Sequence, residues 1–285
     1  MNQAQFSGYP IREFARLTGV NPVTLRAWER RYGIISPLRT PKGHRFYNDN
    51  HVTQVKNIIY WLEQGYPIRQ VKLLLTAPPE QNDAPADDWA AQNAHMLTMA
   101  CELNYRGLDD LWTTGLATYP MAVYYERCLL PVLSELRADP NLAMMLNGFN
   151  YLLKRKLANL ISLQSKQAQG DAVLMAVSHE DAELQLLSSA YALGAAGYRV
   201  EFFGPNIAPD HIQIASLIVK ASWVWIHIHP SNHDKTANWL HIAEECSTPV
   251  YYSGAIPQAL VSGTALGDNI TMQVQTFITT SGNRS

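Results

Sequence analysis

Basic side chains are concentrated near the amino terminus of this 285-residue chain. They form two groups, Arg26, Arg30 and Arg31, followed by Arg39, Lys42, His44 and Arg45. Guanidinium and ammonium groups bind phosphate oxygens, and arginine can also donate two parallel hydrogen bonds to the edge of a guanine. The first group has the spacing of a helix face, and the second surrounds a glycine. Together they predict a surface that binds duplex DNA.

The charge of the chain is divided unevenly along its length. Residues 1–76 contain 11 Lys and Arg against 4 Asp and Glu, whereas the remaining residues contain 11 against 20. A basic segment joined to an acidic one is typical of a nucleic-acid-binding domain attached to a body that does not bind DNA. No apolar run is long enough to span a bilayer, and the polar start of the chain does not resemble a signal peptide. We therefore expect a cytoplasmic protein without a membrane partner.

Two short helices must position the first basic group. The pattern predicts a first helix over Ile11–Thr18, ended by Gly19, with Phe14, Ala15 and Leu17 facing inward. A second helix should begin after Asn21, a good N-cap, with Pro22 at its first position.

On the second helix, Leu25 and Trp28 should pack inward. The opposite face, free to enter a DNA groove, would then carry Val23, Arg26, Ala27 and Arg30. The expected DNA contacts of this helix are Thr24, Arg26, Arg30, Arg31 and Tyr32. Thr24 and Arg26 lie near its amino end, where base contacts usually occur, and Arg26 is the expected base reader. We expect Arg30 and Arg31 to hold phosphates.

The second basic group predicts a wing, a short hairpin beside the helix. Pro41-Lys42-Gly43 predicts its turn, and the glycine would let a backbone N–H approach a phosphate. We expect Phe46 in the core and the Tyr47 hydroxyl on the duplex backbone. Two further helices, from about Asn50 to Gly65 and from Ile68 to Leu75, would support the wing. The expected contacts of this part are Arg39, Lys42, Gly43, His44, Arg45, Tyr47 and Arg69.

The sequence predicts three domains, of which the first spans residues 1–76. Residues 77–88 are rich in proline and acid and predict a linker. Residues 89–169 have apolar residues at helical spacing, with breaks at Gly107, Pro120 and Pro140, which predicts a helical bundle. Residues 170–285 alternate between strand and helix patterns, which predicts a doubly wound, Rossmann-like parallel sheet. The fold class is therefore a multidomain combination of α and α/β.

The alternation is read from short apolar runs and the helices between them. The predicted strands are 172–178, 198–203, 222–229, 249–252 and 269–272, and the predicted helices are 188–197, 209–221 and 234–246. A sheet of this kind binds ligands at the carboxyl ends of its strands.

The basic segment resembles the winged helix-turn-helix of MerR-family transcription regulators. The resemblance rests on Thr24-Leu-Arg-x-Trp-Glu-Arg-Arg-Tyr-Gly33 and on Arg39-x-x-x-Gly43-His-Arg-x-Tyr47, and it covers about residues 9–75. Ala27, Trp28 and His44 resemble the branch that contains CarH-type photoreceptor repressors and MlrA-type biofilm regulators. The resemblance implies promoter DNA as a partner and a homodimer or higher homo-oligomer on a two-part site. It leaves RNA polymerase or a signalling protein as possible further partners.

The remainder resembles the cobalamin-binding module of the CarH-type branch. The matching residues are Leu129-Leu-Pro-Val-Leu133, Ala190-Tyr-x-Leu-x-x-x-Gly197 and Gly204-Pro205. The Glu-x-His-x-x-Gly motif of that module, whose histidine ligates cobalt, falls on Glu180–Gln185, where Ala182 replaces the histidine and Gln185 the glycine. In the bundle, Tyr119 and Leu146-Asn147 replace the residues that shield the upper cobalt face. We therefore expect no cofactor, unless a register shift brings in His179.

Two other clusters could support chemistry. His227, His229 and His233 could approach a metal, although residues that line a ligand crevice are the favoured interpretation. His179, Glu180, Asp181 and Glu183 could serve acid–base chemistry, but no nucleophile accompanies them, so a solvated loop is favoured. Lys154-Arg-Lys156 predicts a surface patch. Three isolated cysteines, Cys101, Cys128 and Cys246, predict reduced thiols.

These patterns favour a sequence-specific DNA-binding regulator whose carboxyl-terminal domains sense a signal or bind a partner. It would have no catalytic, cofactor or metal site. Two alternatives stay open at this point. One is a cobalamin-dependent light or vitamin sensor, and the other is an enzyme that uses the histidine-rich crevice.

Overall fold

The computed structural model describes residues 8–76, 88–256 and 262–282, without the side chains of residues 232–235. The chain divides into two compact units, residues 1–152 and residues 153–285. The polar start of the chain and residues 77–87 of the predicted linker lie outside the described residues. The division into three domains stays a prediction.

The basic segment folds into short helices and strands. Its elements are β1 (Tyr9–Pro10), α1 (Ile11–Thr18), α2 (Pro22–Ala27), β2 (Leu38–Arg39), β3 (Arg45–Tyr47), α3 (Asp49–Glu63) and α4 (Ile68–Leu74). A π-helical turn over Trp28–Tyr32 continues α2, and we call residues 22–32 the arginine helix. The predicted cap is confirmed, because the Asn21 side chain accepts a hydrogen bond of 2.9 Å from the Val23 N–H.

The wing is part of a three-stranded antiparallel sheet in the order β1-β3-β2. Leu38 pairs with Phe46 and Arg39 with Arg45 across the hairpin. The turn requires a glycine, because Gly43 has a φ of +80°. The Gly43 N–H donates to the Thr40 carbonyl oxygen at 2.8 Å. This hydrogen bond closes the turn.

The small core of this segment differs from the prediction in three side chains. Tyr47 is fully buried and its ring stacks on Phe14 with centroids 4.0 Å apart. Phe46, the expected core residue, is partly exposed. Leu17 on α1 is 41% exposed and so does not face inward. Successive strand residues point to opposite faces, so burial of Tyr47 turns Phe46 outward.

A helical bundle follows in the first unit. Its helices are α5 (Asp88–Cys101), α6 (Tyr105–Thr118), α7 (Met121–Tyr124), α8 (Leu130–Ala138) and α9 (Ala143–Ser165), of which α9 runs on into the second unit. The predicted break at Gly107 is wrong: the break precedes α6, whose N-cap Asn104 accepts from the Gly107 N–H at 2.9 Å. The breaks at Pro120 and Pro140 are confirmed, since each lies between helices of the bundle.

The second unit contains a parallel sheet with helices between its strands. Its elements are β4 (Ala172–Val177), α10 (Glu183–Ala195), β5 (Arg199–Phe202), α11 (Ile212–Val219), β6 (Trp223–Ile228), α12 (His233–Glu245), β7 (Val250–Gly254), β8 (Thr264–Ala265) and α13 (Ile270–Gly282). The strand order is β5-β4-β6-β7-β8, and every pairing is parallel. The predicted doubly wound sheet is confirmed. The predicted strand over 269–272 is wrong, because α13 begins there.

Both faces of the sheet are covered by apolar side chains. Ile212 and Trp239 pack with Val224 and Ile226 on one face. On the other face the Phe277 ring on α13 lies 5.5 Å from that of Trp225. Burial on both faces explains why the strands read as continuous apolar runs. In the described part of the chain, no helix is long and apolar enough to cross a membrane.

Candidate nucleic-acid interface

The arginine helix presents its basic side chains to solvent. Arg26, Arg30 and Arg31 are exposed, and Val23 beside them is 51% exposed. Leu25 and Trp28 are fully buried on the opposite side, as predicted. Arg26 and Arg30 lie about one turn apart, about 6 Å along the helix axis, and Arg31 adds a third exposed charge next to Arg30. Tyr32 is half-buried, and Ala27 is buried and so does not belong to the exposed face.

Glu29 fixes the wing against the arginine helix. Its Oε1 lies 2.6 Å from Nη2 of Arg39, and its Oε2 lies 2.5 Å from Nε of Arg45. The Glu29 side chain is largely buried, with 16% of its surface exposed. One carboxylate thus binds two arginines from neighbouring strands of the hairpin, which fixes the wing relative to the helix. Glu29 is not among the site residues predicted from the sequence, although an acid among arginines on a cationic helix is a visible signal.

The tip of the wing stays accessible. Lys42, Gly43 and His44 are exposed, and the His44 N–H donates to Thr40 Oγ1 at 3.1 Å. The hairpin therefore presents one lysine and one histidine at its end, while Arg39 and Arg45 point toward Glu29.

Thr24 faces the bundle in this structure. Its side chain is fully buried, and Oγ1 lies 3.4 Å from the carbonyl oxygen of Leu116 on α6. The Trp28 indole N–H donates to the carbonyl oxygen of Thr118 on the same helix at 2.8 Å. This placement corrects the expected base contact of Thr24. The reason is tertiary: α6 covers the flank of the arginine helix that carries Thr24 and Trp28.

A glycine allows close packing in this part of α6. A Cβ on Gly115 would lie 2.2 Å from the Tyr124 ring, closer than any side chain can approach. Two further contacts tie the α3–α4 region to the bundle. The Trp89 indole donates to the Gly65 carbonyl oxygen at 3.1 Å, and Arg127 donates to the Glu63 carbonyl oxygen. The basic segment and the bundle are therefore packed together within the first unit.

Tyr47 differs from the predicted DNA contacts, whereas Arg69 stays accessible and its contact stays a prediction. Burial raises the pKa of Tyr47 to about 12, and its hydroxyl has no partner among the described residues. That hydroxyl does not reach solvent, which corrects the expected phosphate contact. Arg69 lies 2.7 Å from Asp88 in an exposed ion pair. Its side chain is 74% exposed, so the pair leaves it accessible.

The histidine-rich crevice lies at the carboxyl edge of the parallel sheet. His227 is 4% exposed, and burial, with a smaller contribution from His229, lowers its pKa from 6.5 to about 4. Ser253 Oγ accepts from the Trp225 indole at 2.8 Å and lies 2.8 Å from Nδ1 of His227. The serine hydroxyl thus donates to a neutral imidazole. The hydrogen bond gives the buried imidazole of His227 a polar partner, so its burial is explained without a ligand.

His229 and His179 meet across the same edge. Their rings stack at 5.2 Å, and Nδ1 of His179 accepts from the Asp181 N–H at 3.3 Å. The side chains of His233 and Asp234 lie outside the described residues, and no group of three or more His, Cys, Asp or Glu that could hold a metal occurs among the others. Glu183 pairs with Lys154 at 3.0 Å, so the nearby acidic cluster is partly neutralised.

The residues at the cobalt-ligand position of the resembled module do not fit cobalamin. Ala182 is buried in a 3-10 turn at the start of α10, and a methyl group has no lone pair to donate. His179, three residues earlier, uses Nδ1 to cap that same turn. In the bundle, Tyr119 is buried beside Trp89, with ring centroids 4.6 Å apart. The turn therefore has no lower axial donor at the ligand position itself, and His179 uses Nδ1 within the turn.

Comparison with known proteins defines the class of the basic segment. Residues 9–77 match the model of the MerR HTH family regulatory protein. The matched range contains the arginine helix, the wing and the two helices after it. The chain thus carries a helix-turn-helix domain of the MerR family.

Relatives along most of the chain are the regulators MlrA and CarH. HTH-type transcriptional regulator MlrA of Escherichia coli is 28% identical over 200 residues, which cover 70% of this chain and 81% of MlrA. HTH-type transcriptional repressor CarH of Myxococcus xanthus is 27% identical over 265 residues, which cover 87% and 89%. The chain is a homologue of both. The Methanosarcina barkeri monomethylamine corrinoid protein has a similar fold, with a TM-score of 0.51 at 12% identity over 67% of this chain and 99% of that protein.

Proposed function

We propose that this protein is a sequence-specific transcription regulator that reads promoter DNA with the arginine helix and its wing. The observation that carries the proposal is the exposed cationic face of Arg26, Arg30 and Arg31 beside a wing fixed by Glu29. A helix with exposed arginines enters the major groove, and a basic hairpin beside it follows the phosphates. The MerR domain match supports this assignment.

The accessible side chains divide into two roles. Arg26, in the first turns of the helix, reads base edges, because the amino end of a groove-bound helix lies nearest the bases. Arg30, Arg31, Lys42 and His44 bind phosphates and set the register of the helix on the duplex. Arg39 and Arg45 orient the wing through Glu29, and Arg45 keeps a phosphate contact as a second role. Arg69 and Tyr32 lie at the margin of this surface.

One domain of this size reads too few base pairs to specify a promoter. We therefore assign the protein two or more copies on a two-part site, with the promoter as its partner. RNA polymerase or a signalling protein is the further partner that such a regulator would need. We assign it no enzymatic activity, in line with the regulators MlrA and CarH.

The carboxyl-terminal unit would receive the signal. It keeps a doubly wound sheet but has an alanine where cobalt ligation needs an imidazole, so a partner protein or a small ligand other than cobalamin fits it better. Thr24 and Trp28 connect the arginine helix directly to α6 of the bundle through side-chain hydrogen bonds. A shift of α6 would move the helix that reads DNA.

The test compares Arg26→Ala with Arg45→Ala in the full-length protein. Binding is measured by fluorescence anisotropy on the protein's own upstream region and on a scrambled duplex, across a series of salt concentrations. Arg26→Ala should cost about 1–3 kcal/mol on the specific duplex and little on the scrambled one. Arg45→Ala should weaken both duplexes alike and flatten the salt dependence.

Arg137→Ala is the matched control, because it removes one exposed arginine from α8 of the bundle. It should leave both affinities near wild type. Identical behaviour of Arg26→Ala and Arg45→Ala would show the division of roles to be wrong. Failure of the wild-type protein to prefer any duplex at any salt concentration would overturn the function itself.

A further inference from the structure

Helix α11 exposes an apolar stripe. Ile214, Leu217 and Ile218 are 58%, 59% and 74% exposed, and their spacing of three and four residues places them on one side of the helix. The other side carries Ile212, which packs in the core of the sheet, and Ser216, which is buried beside Cys246. A helix that is apolar on both sides is normally covered on both sides. The outer side of α11 therefore has the composition of a covered surface.

The stripe has a useful size for self-association. The three side chains expose on the order of 100 Å² each, roughly 300 Å² together, which is at the scale where patches on soluble proteins begin to carry function. Pairing two copies of the stripe would bury roughly 600 Å² of apolar surface, so residues around the stripe must contribute for the interface to reach the roughly 1,000 Å² of a specific one. The stripe alone therefore supplies the apolar centre of a modest dimer interface.

The charges at the two ends of the stripe are opposite. Asp210 lies just before α11, and Lys220 directly follows its last residue. Both side chains are exposed, and neither forms an ion pair within the part of the chain that the structure describes. In an antiparallel pair of α11 helices, Asp210 of one copy would face Lys220 of the other at both ends. Ile214 would then lie opposite Ile218 across the pair.

We propose that α11 is the surface on which a second copy of this chain docks, through a two-fold axis that crosses the helix near its middle. An interface of this kind uses the same patch on both copies, so the patch must be complementary to itself. An apolar stripe with an acid at one end and a base at the other meets that condition only in the antiparallel arrangement. This surface lies outside the DNA-reading residues, and the proposal rests on the proposed function, since it names the surface through which the assigned copies associate.

The first experiment measures self-association of the full-length protein without DNA by sedimentation equilibrium. Ile218→Lys places two ammonium groups in the stripe of the pair and should raise the dissociation constant at least about tenfold. Met272→Lys is the control, because Met272 is 50% exposed on α13 of the same unit and outside the stripe. It should leave the constant within about twofold of wild type.

The second experiment exchanges the end charges. Asp210→Lys and Lys220→Asp should each weaken association severalfold, since each brings like charges together at both ends. The double variant restores opposite pairs and should recover most of the lost association. Any of three results would overturn the proposal. The wild-type protein could stay monomeric, Ile218→Lys could leave the dissociation constant unchanged, or the double variant could associate no more tightly than the single variants. The DNA-binding function is checked separately. If the Ile218→Lys variant still binds duplex DNA, and that binding still depends on Arg26, then failure of the docking proposal is distinguished from failure of the DNA-binding function.

Discussion

The indole N–H of Trp28 donates a 2.8 Å hydrogen bond to the carbonyl oxygen of Thr118. The two residues lie 90 positions apart in the chain, and the bond joins the arginine helix to α6. Trp28 is fully buried, so the contact is shielded from water and is expensive to break. The helix that carries the exposed arginines is thus positioned by the bundle as well as by its own domain.

Trp28→Phe should destabilise the first unit. The substitution leaves the Thr118 carbonyl oxygen without its donor, which costs about 1–3 kcal/mol, in addition to the cost of the lost ring volume. Trp112→Phe is the matched control: Trp112 is 1% exposed, and within the described residues its indole N–H has no partner. Urea unfolding should show the larger loss for Trp28→Phe. Equal losses would mean that the hydrogen bond contributes nothing.

Glu29→Ala should reduce discrimination between duplexes. It releases both Arg39 and Arg45, so the wing loses its fixed position, whereas Arg45→Ala leaves the Arg39–Glu29 pair in place. The removal of a negative charge also strengthens general attraction to DNA. Affinity for a scrambled duplex should rise severalfold, and the ratio of specific to scrambled affinity should fall. Glu13→Ala, which removes an exposed acid on α1, should preserve that ratio. An unaltered ratio for Glu29→Ala would contradict the role of Glu29 in fixing the wing.

Tyr47→Phe should leave DNA affinity unchanged. The Tyr47 hydroxyl is buried without a partner among the described residues, so its removal should be neutral or should raise the free energy of unfolding by up to about 1–2 kcal/mol. Anisotropy titration and urea unfolding measure the two quantities. A clear loss of DNA affinity would restore the phosphate contact that the sequence predicted.

His227 should make the stability of the protein depend on pH. Its pKa in the folded protein is about 4, against an ordinary value of 6.5, so the unfolded chain binds the proton more readily. The stabilisation is present above pH 6.5 and is lost as the pH falls toward 4, by about 3 kcal/mol in all. His227→Asn should lack this component in unfolding measurements between pH 7 and pH 4. His95→Asn, at an exposed position of α5, should keep it; a wild-type slope in His227→Asn would refute the assignment.

Cobalamin should not bind. After incubation with adenosylcobalamin in the dark, the full-length protein should elute colourless from a desalting column, since Ala182 cannot ligate cobalt. A protein peak with stoichiometric corrin absorbance would show that another residue supplies the ligand, and His179 would then be the residue to replace.

Local signals in the sequence predicted the elements that depend on local chemistry. Asn21 and Pro22 fixed the start of the arginine helix, and apolar runs marked the four main strands of the parallel sheet. The error at residues 269–272 has a physical cause. Ile270, Thr271 and Met272 read as a strand, but burial of Val274 and Phe277 one helical turn apart favours a helix there, so packing outweighs propensity.

The sequence predicted which basic residues form the candidate site, but not which of the predicted contact residues are buried against other parts of the chain. Arg26, Arg30 and Arg31 are exposed, as their helical spacing implied. The burial of Thr24 could not be predicted, because its partner Leu116 is 92 residues away in the chain. The residues around Thr24 in the sequence do not indicate that α6 packs against it. Tyr47 was misjudged because a three-residue strand is too short for alternation to show which face is buried.

Selection of duplexes from a random pool by the full-length protein shows whether the arginine helix reads a sequence. We expect enrichment of one motif with two related half-sites, and loss of preference at specific positions of that motif when Arg26 is replaced by alanine. A wild-type protein that enriches no motif, or an Arg26→Ala variant that enriches the same motif equally well, would contradict this expectation.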